Sequence, residues 1–262
     1  MIKVNDVTFR YPNGKEALHH INFEIKNGEA VGLVGCNGAG KSTLLSLLCG
    51  INFAGEGSNE INGVTVKKDT LKQIRRDVGM VFQNPDEQLF MPNIGEDIAF
   101  GPRNYGLSEE EVEKRVHNAL EKLEIGALRD RPPYRLSGGE KRNAAIATVI
   151  AMEPSFILFD EPTAFLDPKA TNTFQRIALE LNIPFLIASH DLDVILNICD
   201  RVIILKNGEI MADGEPYDLL CDENLMYRAG LELPASFSRC KHCPNNCGED
   251  LFKKFKLRRL GE

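Results

Sequence analysis

The segment Gly35-Cys36-Asn37-Gly38-Ala39-Gly40-Lys41-Ser42-Thr43 constrains this chain more than any other. It follows the apolar run Ala30-Val31-Gly32-Leu33-Val34 and precedes the helical pattern Leu44-Leu45-Ser46-Leu47-Leu48. A strand, a glycine-rich turn and a helix start in that order make a phosphate-binding P-loop. The glycines let the N–H groups of Gly35 and Asn37 to Thr43 converge on an anion, because a Cβ would block the close approach. The helix beginning near Lys41 adds the positive end of its dipole. Lys41 is placed to reach the β- and γ-phosphates of a nucleoside triphosphate, and the Ser42 hydroxyl to ligate Mg²⁺.

The rest of the composition narrows the class. A chain of 262 residues makes one large domain, with room for a subdomain or a tail. A net charge of −7 argues against a general nucleic-acid binder. The longest apolar run, Ala144 to Met152, is about half of the roughly 20 residues that a membrane-spanning helix needs. The start, Met1-Ile2-Lys3-Val4-Asn5-Asp6, enters alternating strand pattern at once, with no signal peptide visible. Seven cysteines in such a chain read as free thiols in a reducing compartment, so a cytoplasmic location is expected.

Residues 2–10 and 19–26 alternate apolar and polar, as half-buried antiparallel strands do, with turns at Asn13-Gly14 and Asn27-Gly28. Glu60 to Val66 is a further strand-like stretch, and Val78-Gly79-Met80-Val81-Phe82 a buried strand ending at Gln83. Residues 85–150 are helical in character. There Ser108 with Glu111 predicts a capping box, and Val112, Val116, Ala119, Leu120 and Leu123 fall at helical spacing. Buried strands return at 156–159, 185–188 and 202–205, and Lys206-Asn207-Gly208-Glu209 signals a hairpin turn. The expected fold class is α/β: a P-loop core with a mixed, mostly parallel sheet, an N-terminal antiparallel β subdomain and an inserted helical subdomain. Periodicity fades near residue 222, so 1–222 is expected to form the main domain and 223–262 a C-terminal extension.

Two further segments carry chemistry. Phe156-Ile157-Leu158-Phe159 runs into Asp160-Glu161. Alone, such a pair is an ordinary strand end; downstream of a P-loop, Asp160 suits the metal and Glu161, pointing elsewhere, suits general-base attack by water. Leu136-Ser137-Gly138-Gly139-Glu140 opens a helix and offers a second anion-receptive N-terminus, or simply a Ser137 N-cap. One nucleotide has little use for two cradles, so the second is expected to face a partner's P-loop.

With these segments in order, the chain resembles the ABC family of ATPases. The matching positions are the P-loop at 35–43, Gln83, Leu136 to Glu140, Asp160-Glu161, Asp167 and His190, spanning residues 2 to about 215. The resemblance implies ATP with Mg²⁺ held between two head-to-tail subunits, a second copy or a paralogue. ATP would lie between the P-loop of one and Ser137, Gly138 and Gly139 of the other. It implies that Tyr11 stacks on adenine, where the residues alone allow a strand-end aromatic on the surface. It implies that Gln83 joins Ser42 and Asp160 around Mg²⁺ and the attacking water, and that His190, after a buried strand, contacts the γ-phosphate with Glu161 as base.

A narrower resemblance runs through Val81-Phe82-Gln83-Asn84-Pro85-Asp86-Glu87-Gln88-Leu89-Phe90 and Glu96-Asp97-Ile98-Ala99-Phe100-Gly101-Pro102. It is similar to the ATPases of energy-coupling-factor importers, which take up vitamins and cobalt or nickel ions. This implies an integral membrane coupling subunit gripped near residues 84–105, a substrate-binding membrane protein, and a peripheral place on the cytoplasmic face of the membrane. Leu89, Phe90 and Met91 equally suit the helical subdomain's own core. The alternative class is an ABC ATPase without a membrane partner, for example in metal-cofactor assembly. Phe165 stands where the family usually has a small residue, and Asn143 and Ala144 where the importer group has a basic and a branched one.

The C-terminus adds Cys240-Lys241-His242-Cys243-Pro244-Asn245-Asn246-Cys247. Thiolates of Cys240, Cys243 and Cys247 suit Zn²⁺ or an iron–sulfur cluster if Cys221 or a partner supplies a fourth ligand; a redox-sensitive thiol group and a metal-free basic tail are the other readings. Residues 239–262 carry seven Lys or Arg against three Asp or Glu. Their apolar-basic mixture suits an acidic membrane surface, a partner subunit or a solvated helix. Cys36, Cys49 and Cys199 are expected to pack.

Overall fold

The computed structural model describes residues 1–240. Two sheets sandwich the helix that follows the P-loop. β1 (Ile2–Arg10), β2 (Glu16–Ile25) and β3 (Ala30–Val34) lead into α1 (Lys41–Leu48). Next come β4 (Glu56–Ile61), β5 (Val64–Thr65), α2 (Leu71–Asp77) and β6 (Val78–Val81). The helical subdomain is α3 (Ile94–Asn104), α4 (Glu109–Lys122) and α5 (Gly138–Ile150). The chain then alternates through β7 (Phe156–Asp160), α6 (Pro168–Glu180), β8 (Phe185–Ala188), α7 (Leu192–Ile198) and β9 (Arg201–Lys206). It closes with β10 (Glu209–Gly214), α8 (Pro216–Leu220), α9 (Glu223–Ala229) and α10 (Ala235–Cys240).

The four-stranded antiparallel sheet has the order β2-β1-β4-β5, and the six-stranded sheet the order β10-β9-β3-β8-β7-β6. In the larger sheet only β10 runs antiparallel to its neighbour. Its inner strands are apolar on both faces because both faces are covered. Successive side chains divide between two cores. Leu158, Leu186, Ile203 and Leu205 meet α1 and the antiparallel sheet, while Ile157, Phe159, Ile187, Val202 and Ile204 meet the helices on the other side.

The hairpin turn is found as expected: Lys206 pairs with Glu209 across Asn207 (φ +51°) and Gly208 (φ +83°). Three expectations change. The stretch 60–66 is a hairpin rather than one strand, because Asn62 (φ +49°) and Gly63 (φ +80°) turn the chain between β4 and β5. At α4 Ser108 caps Glu111 N–H (3.3 Å), but the Glu111 side chain pairs with Arg115 (3.1 Å), so only half of the box forms. Helical order continues past residue 222, where Leu225, Met226 and Ala229 of α9 bury in the same core as the sheet. No described helix is long and apolar enough to cross a membrane.

Gly57 sits opposite the register shift where β1 bulges between Asn5 and Thr8. Its φ is +77°, and a Cβ there would lie 2.3 Å from the Asp6 carbonyl oxygen. Gly57→Ala is therefore expected to destabilise the protein by roughly 1–3 kcal/mol, read as a lowered urea midpoint at unchanged m.

Candidate functional site

Strand order assembles the site. β6, β7, β8 and β3 are consecutive neighbours running parallel, so their C-terminal ends share one edge, the ligand-binding edge of an open α/β sheet. Along that edge stand Gln83 just past β6, Asp160-Glu161 at the end of β7, His190 after β8 and the P-loop after β3.

The P-loop is wedged in place by its glycines. A Cβ on Gly35 would fall 2.4 Å from the Leu205 carbonyl oxygen, and one on Gly40 (φ +109°) 2.9 Å from that of Ala17. The β9–β10 turn braces the loop, with Gly208 N–H donating to the Ala39 carbonyl (3.1 Å). Lys41 is buried; its Nζ donates to the Gly35 carbonyl (2.7 Å) and lies 3.9 Å from Glu161 Oε1. The Tyr11 hydroxyl hydrogen-bonds Thr43 Oγ1 (2.9 Å), and its ring meets Phe9 edge to face, with centroids 4.9 Å apart. Tyr11 is thus fastened to the P-loop.

Ser42 Oγ donates to Asp160 Oδ1 at 3.1 Å. Burial pushes the Asp160 carboxyl above the usual carboxylate range; the Ser42 hydroxyl and Lys41 oppose this, and Glu161 adds to it. Two hard oxygens side by side, one on a carboxylate whose charge burial disfavours, fit a small divalent cation such as Mg²⁺.

Glu161 adopts φ +46°, in the left-handed region. Its N–H donates to the Ala188 carbonyl (2.9 Å) at the end of β8. Its Oε2 accepts from His190 N–H (3.1 Å) and lies 2.6 Å from His190 Nδ1. The buried carboxylate and exposed imidazole form a dyad beside Lys41, suited to accepting a proton from water.

Ser137 caps α5 in a complete box: its Oγ accepts from Glu140 N–H (3.3 Å), and Glu140 Oε2 accepts from Ser137 N–H (2.8 Å). Among the described residues no hydrogen bond joins Ser137, Gly138 or Gly139 to the P-loop of the same chain. Gly138 instead lines a cleft of about 540 Å³ with Gln83, Asp86, Lys141 and Phe165. Phe165 is 98% exposed and held at φ +63°. Asp167 caps α6 by accepting from Ala170 N–H (2.8 Å).

The apolar segment after Gln83 divides. Leu89 is buried, whereas Phe90 is 62% and Phe100 43% exposed, their rings edge to face at 4.9 Å. Asp97, buried, accepts from the N–H groups of both Phe90 and Met91 (2.9 Å each). Cys49 and Cys199 are buried as expected, and Cys36 is half-buried. Cys221 is half-buried with its thiol pushed up to about 11, mainly by burial. Among the described residues no group of three or more His, Cys, Asp or Glu could hold a metal. The Zn²⁺ or iron–sulfur reading rests on Cys240, whose side chain is not described, and on Cys243 and Cys247, which lie outside the described residues.

Two residues of the site escape the sequence reading. Arg142 is 2% exposed and donates to two carbonyls of the Gln83 segment, and Gln88 joins the same segment to α5. The available signal is position: Arg142 precedes Ala145, Ile146 and Val149 on the apolar stripe of its helix.

A P-loop, a paired Asp-Glu at the same edge of the sheet and a cation-ready Ser42 define a P-loop nucleoside triphosphatase. The chain belongs to the ABC transporter family, whose family model matches residues 18–164. It is the ATPase subunit of a transporter, and its reaction is ATP hydrolysis coupled to transport. A putative ABC transporter ATP-binding protein of Geobacter sulfurreducens is 46% identical over 93% of this chain and 98% of its own length. The energy-coupling factor transporter ATP-binding protein EcfA of Methanothermobacter thermautotrophicus is 46% identical over 89% of this chain and 77% of its own. The solved structure of cbiO1 from Clostridium perfringens, part of the ABC transporter complex cbiONQ, superposes with a TM-score of 0.79 at 35% identity, covering 92% of this chain and 98% of that one. The ATP-binding cassette MJ0796, solved as a dimer in a post-hydrolysis state with ADP and Pi, gives 0.74 at 31% identity over 82% of this chain and 99% of its own.

Proposed function

We propose that this chain powers an importer of the energy-coupling-factor type, taking up cobalt or nickel ions or a vitamin. It does so as a peripheral subunit on the cytoplasmic face of the membrane. The observation that carries the reading is the exposed Phe90–Phe100 pair next to the Gln83 segment. An exposed aromatic pair, with the backbone at Phe90 anchored by buried Asp97, is suited to a partner's apolar helix. The likeness to EcfA and cbiO1 supports the same partner class, an integral membrane coupling subunit with a substrate-binding membrane protein.

In this reading the N–H groups of Gly35 and Asn37 to Thr43 hold the phosphates, with Lys41 on the β- and γ-phosphates and Tyr11 against adenine. Ser42, Asp160 and Gln83 would hold Mg²⁺, which would supply charge neutralisation at the transferring phosphoryl group. Glu161 accepts a proton from water as the water oxygen bonds to the γ-phosphorus and the bond to ADP breaks; His190 orients Glu161 and meets the γ-phosphate. Ser137, Gly138 and Gly139 of a second subunit, identical or paralogous, close the site. Closed and open dimers bind nucleotide differently, and that difference moves the partner helices.

The test is co-isolation in mild detergent. Wild type is expected to carry an integral membrane protein, and a Phe90→Asp, Phe100→Asp variant to lose it while ATP affinity stays within about twofold. Wild type isolated without any integral membrane protein overturns the importer reading and favours an ABC ATPase without a membrane partner.

A further inference from the structure

β6 is paired to β7 only as far as Val81 opposite Phe159. From Phe82 onward the segment is tied to α5 by three side chains, Arg142 and Lys141 of the helix and Gln88 of the segment itself. Arg142 Nη1 donates to the Phe82 carbonyl and Nη2 to the Gln83 carbonyl, each at 2.6 Å. Gln88 accepts from Phe82 N–H (3.1 Å) and donates to the Ala145 carbonyl and Thr148 Oγ1, each at 2.8 Å. Lys141 Nζ donates to Asp86 Oδ1 (2.6 Å).

Arg142 is the unusual member. It is buried, no carboxylate pairs with it among the described residues, and its Nε has no hydrogen-bond partner. Burial pulls its pKa down to about 10. An apolar side chain of similar length would fill the same space without the desolvation cost, so packing does not account for an arginine here. Its geometry does. The Phe82 carbonyl belongs to the peptide plane before Gln83 and the Gln83 carbonyl to the plane after it. Fixing both rigid planes fixes φ and ψ of Gln83 and hence the direction in which its side chain leaves the backbone. A planar guanidinium fork can hold two such oxygens at once.

We propose that Arg142 is a positioning residue for ATP hydrolysis. It locks Gln83 to the helix that begins at Ser137-Gly138-Gly139, so that the metal-side glutamine and the partner-facing donors move as one body. The inference rests on the roles proposed above for Gln83 and Ser137 to Gly139. A shift of Gln83 in one nucleotide site is thereby passed to the donors that α5 presents to the other.

A double-mutant cycle with Arg142→Met and Gln83→Ala tests it on the full-length protein, scored per ATP-binding site. Arg142→Met is expected to lower kcat roughly tenfold or more with KM for ATP within about threefold. In the Gln83→Ala background the same change is expected to move kcat less than about twofold, because its effect is already lost. Arg142→Lys keeps the charge without the fork and is expected to fall between wild type and Arg142→Met; if Arg142→Met does not fold, the cycle is run with Arg142→Lys. Unchanged kcat in both Arg142 variants, or losses that multiply in the double variant, overturn the proposal; multiplied losses do so while leaving the role of Gln83 standing. Wild-type kcat in Gln83→Ala alone overturns the role of Gln83 and the proposal with it.

Discussion

Glu161→Gln is expected to bind ATP, hold it in a closed dimer and hydrolyse it roughly 10²–10⁴ times more slowly than wild type, the usual worth of a general base. The substitution keeps shape and an oxygen acceptor. Glu161 Oε2 accepts from His190 N–H at 3.1 Å, and an amide oxygen in that place accepts the same bond. Lost are the negative charge and the capacity to take a proton. The backbone points the same way: residue 161 is held at φ +46° by its N–H bond to the Ala188 carbonyl, at a cost of about 1–3 kcal/mol, the kind of strain that persists at functional sites. Phosphate release at saturating ATP measures the rate, and size exclusion with ATP measures the trapped dimer. Wild-type turnover would remove Glu161 as base and leave His190 as the remaining titratable member of the dyad.

What the sequence makes legible here is local chemistry. The P-loop follows from glycine spacing between two apolar runs, and the turn at Asn207-Gly208 from the need for positive φ at both positions. Neither requires knowledge of what packs against it. The order β6-β7-β8-β3 is different in kind: that Gln83, Glu161, His190 and Lys41 share one edge is a property of the sheet, and only the family resemblance anticipates it. Arg142 is illegible for a related reason. Arginine in a helix is ordinarily a solvated residue, and its burial depends on two carbonyls some sixty positions earlier that β6 leaves unpaired. Glu111 shows the converse. The capping-box spacing is present, yet Arg115 one turn on offers its carboxylate a charged partner, and the box half-forms.

Lys41→Ala is expected to weaken ATP binding by about 3 kcal/mol, roughly 100- to 200-fold in Kd, while the fold stays intact. Among the described residues the buried ammonium donates to the Gly35 carbonyl oxygen at 2.7 Å and lies 3.9 Å from Glu161, and an ammonium has three donors, so capacity remains for a bound phosphate. Truncation removes the cation whose charge counters Asp160, whose carboxyl burial already pushes upward. The triphosphate would then approach two carboxylates with no lysine between them. The loss is therefore expected to exceed that of one neutral hydrogen bond, about 1 kcal/mol. Because the P-loop's shape is set by Gly35, Gly40 and the Gly208 brace, which the substitution leaves alone, thermal stability without nucleotide should change little. Calorimetric titration with ATP and Mg²⁺ separates the outcomes: a Kd within threefold of wild type would mean that backbone amides alone hold the phosphates and would reassign Lys41 to bracing Gly35.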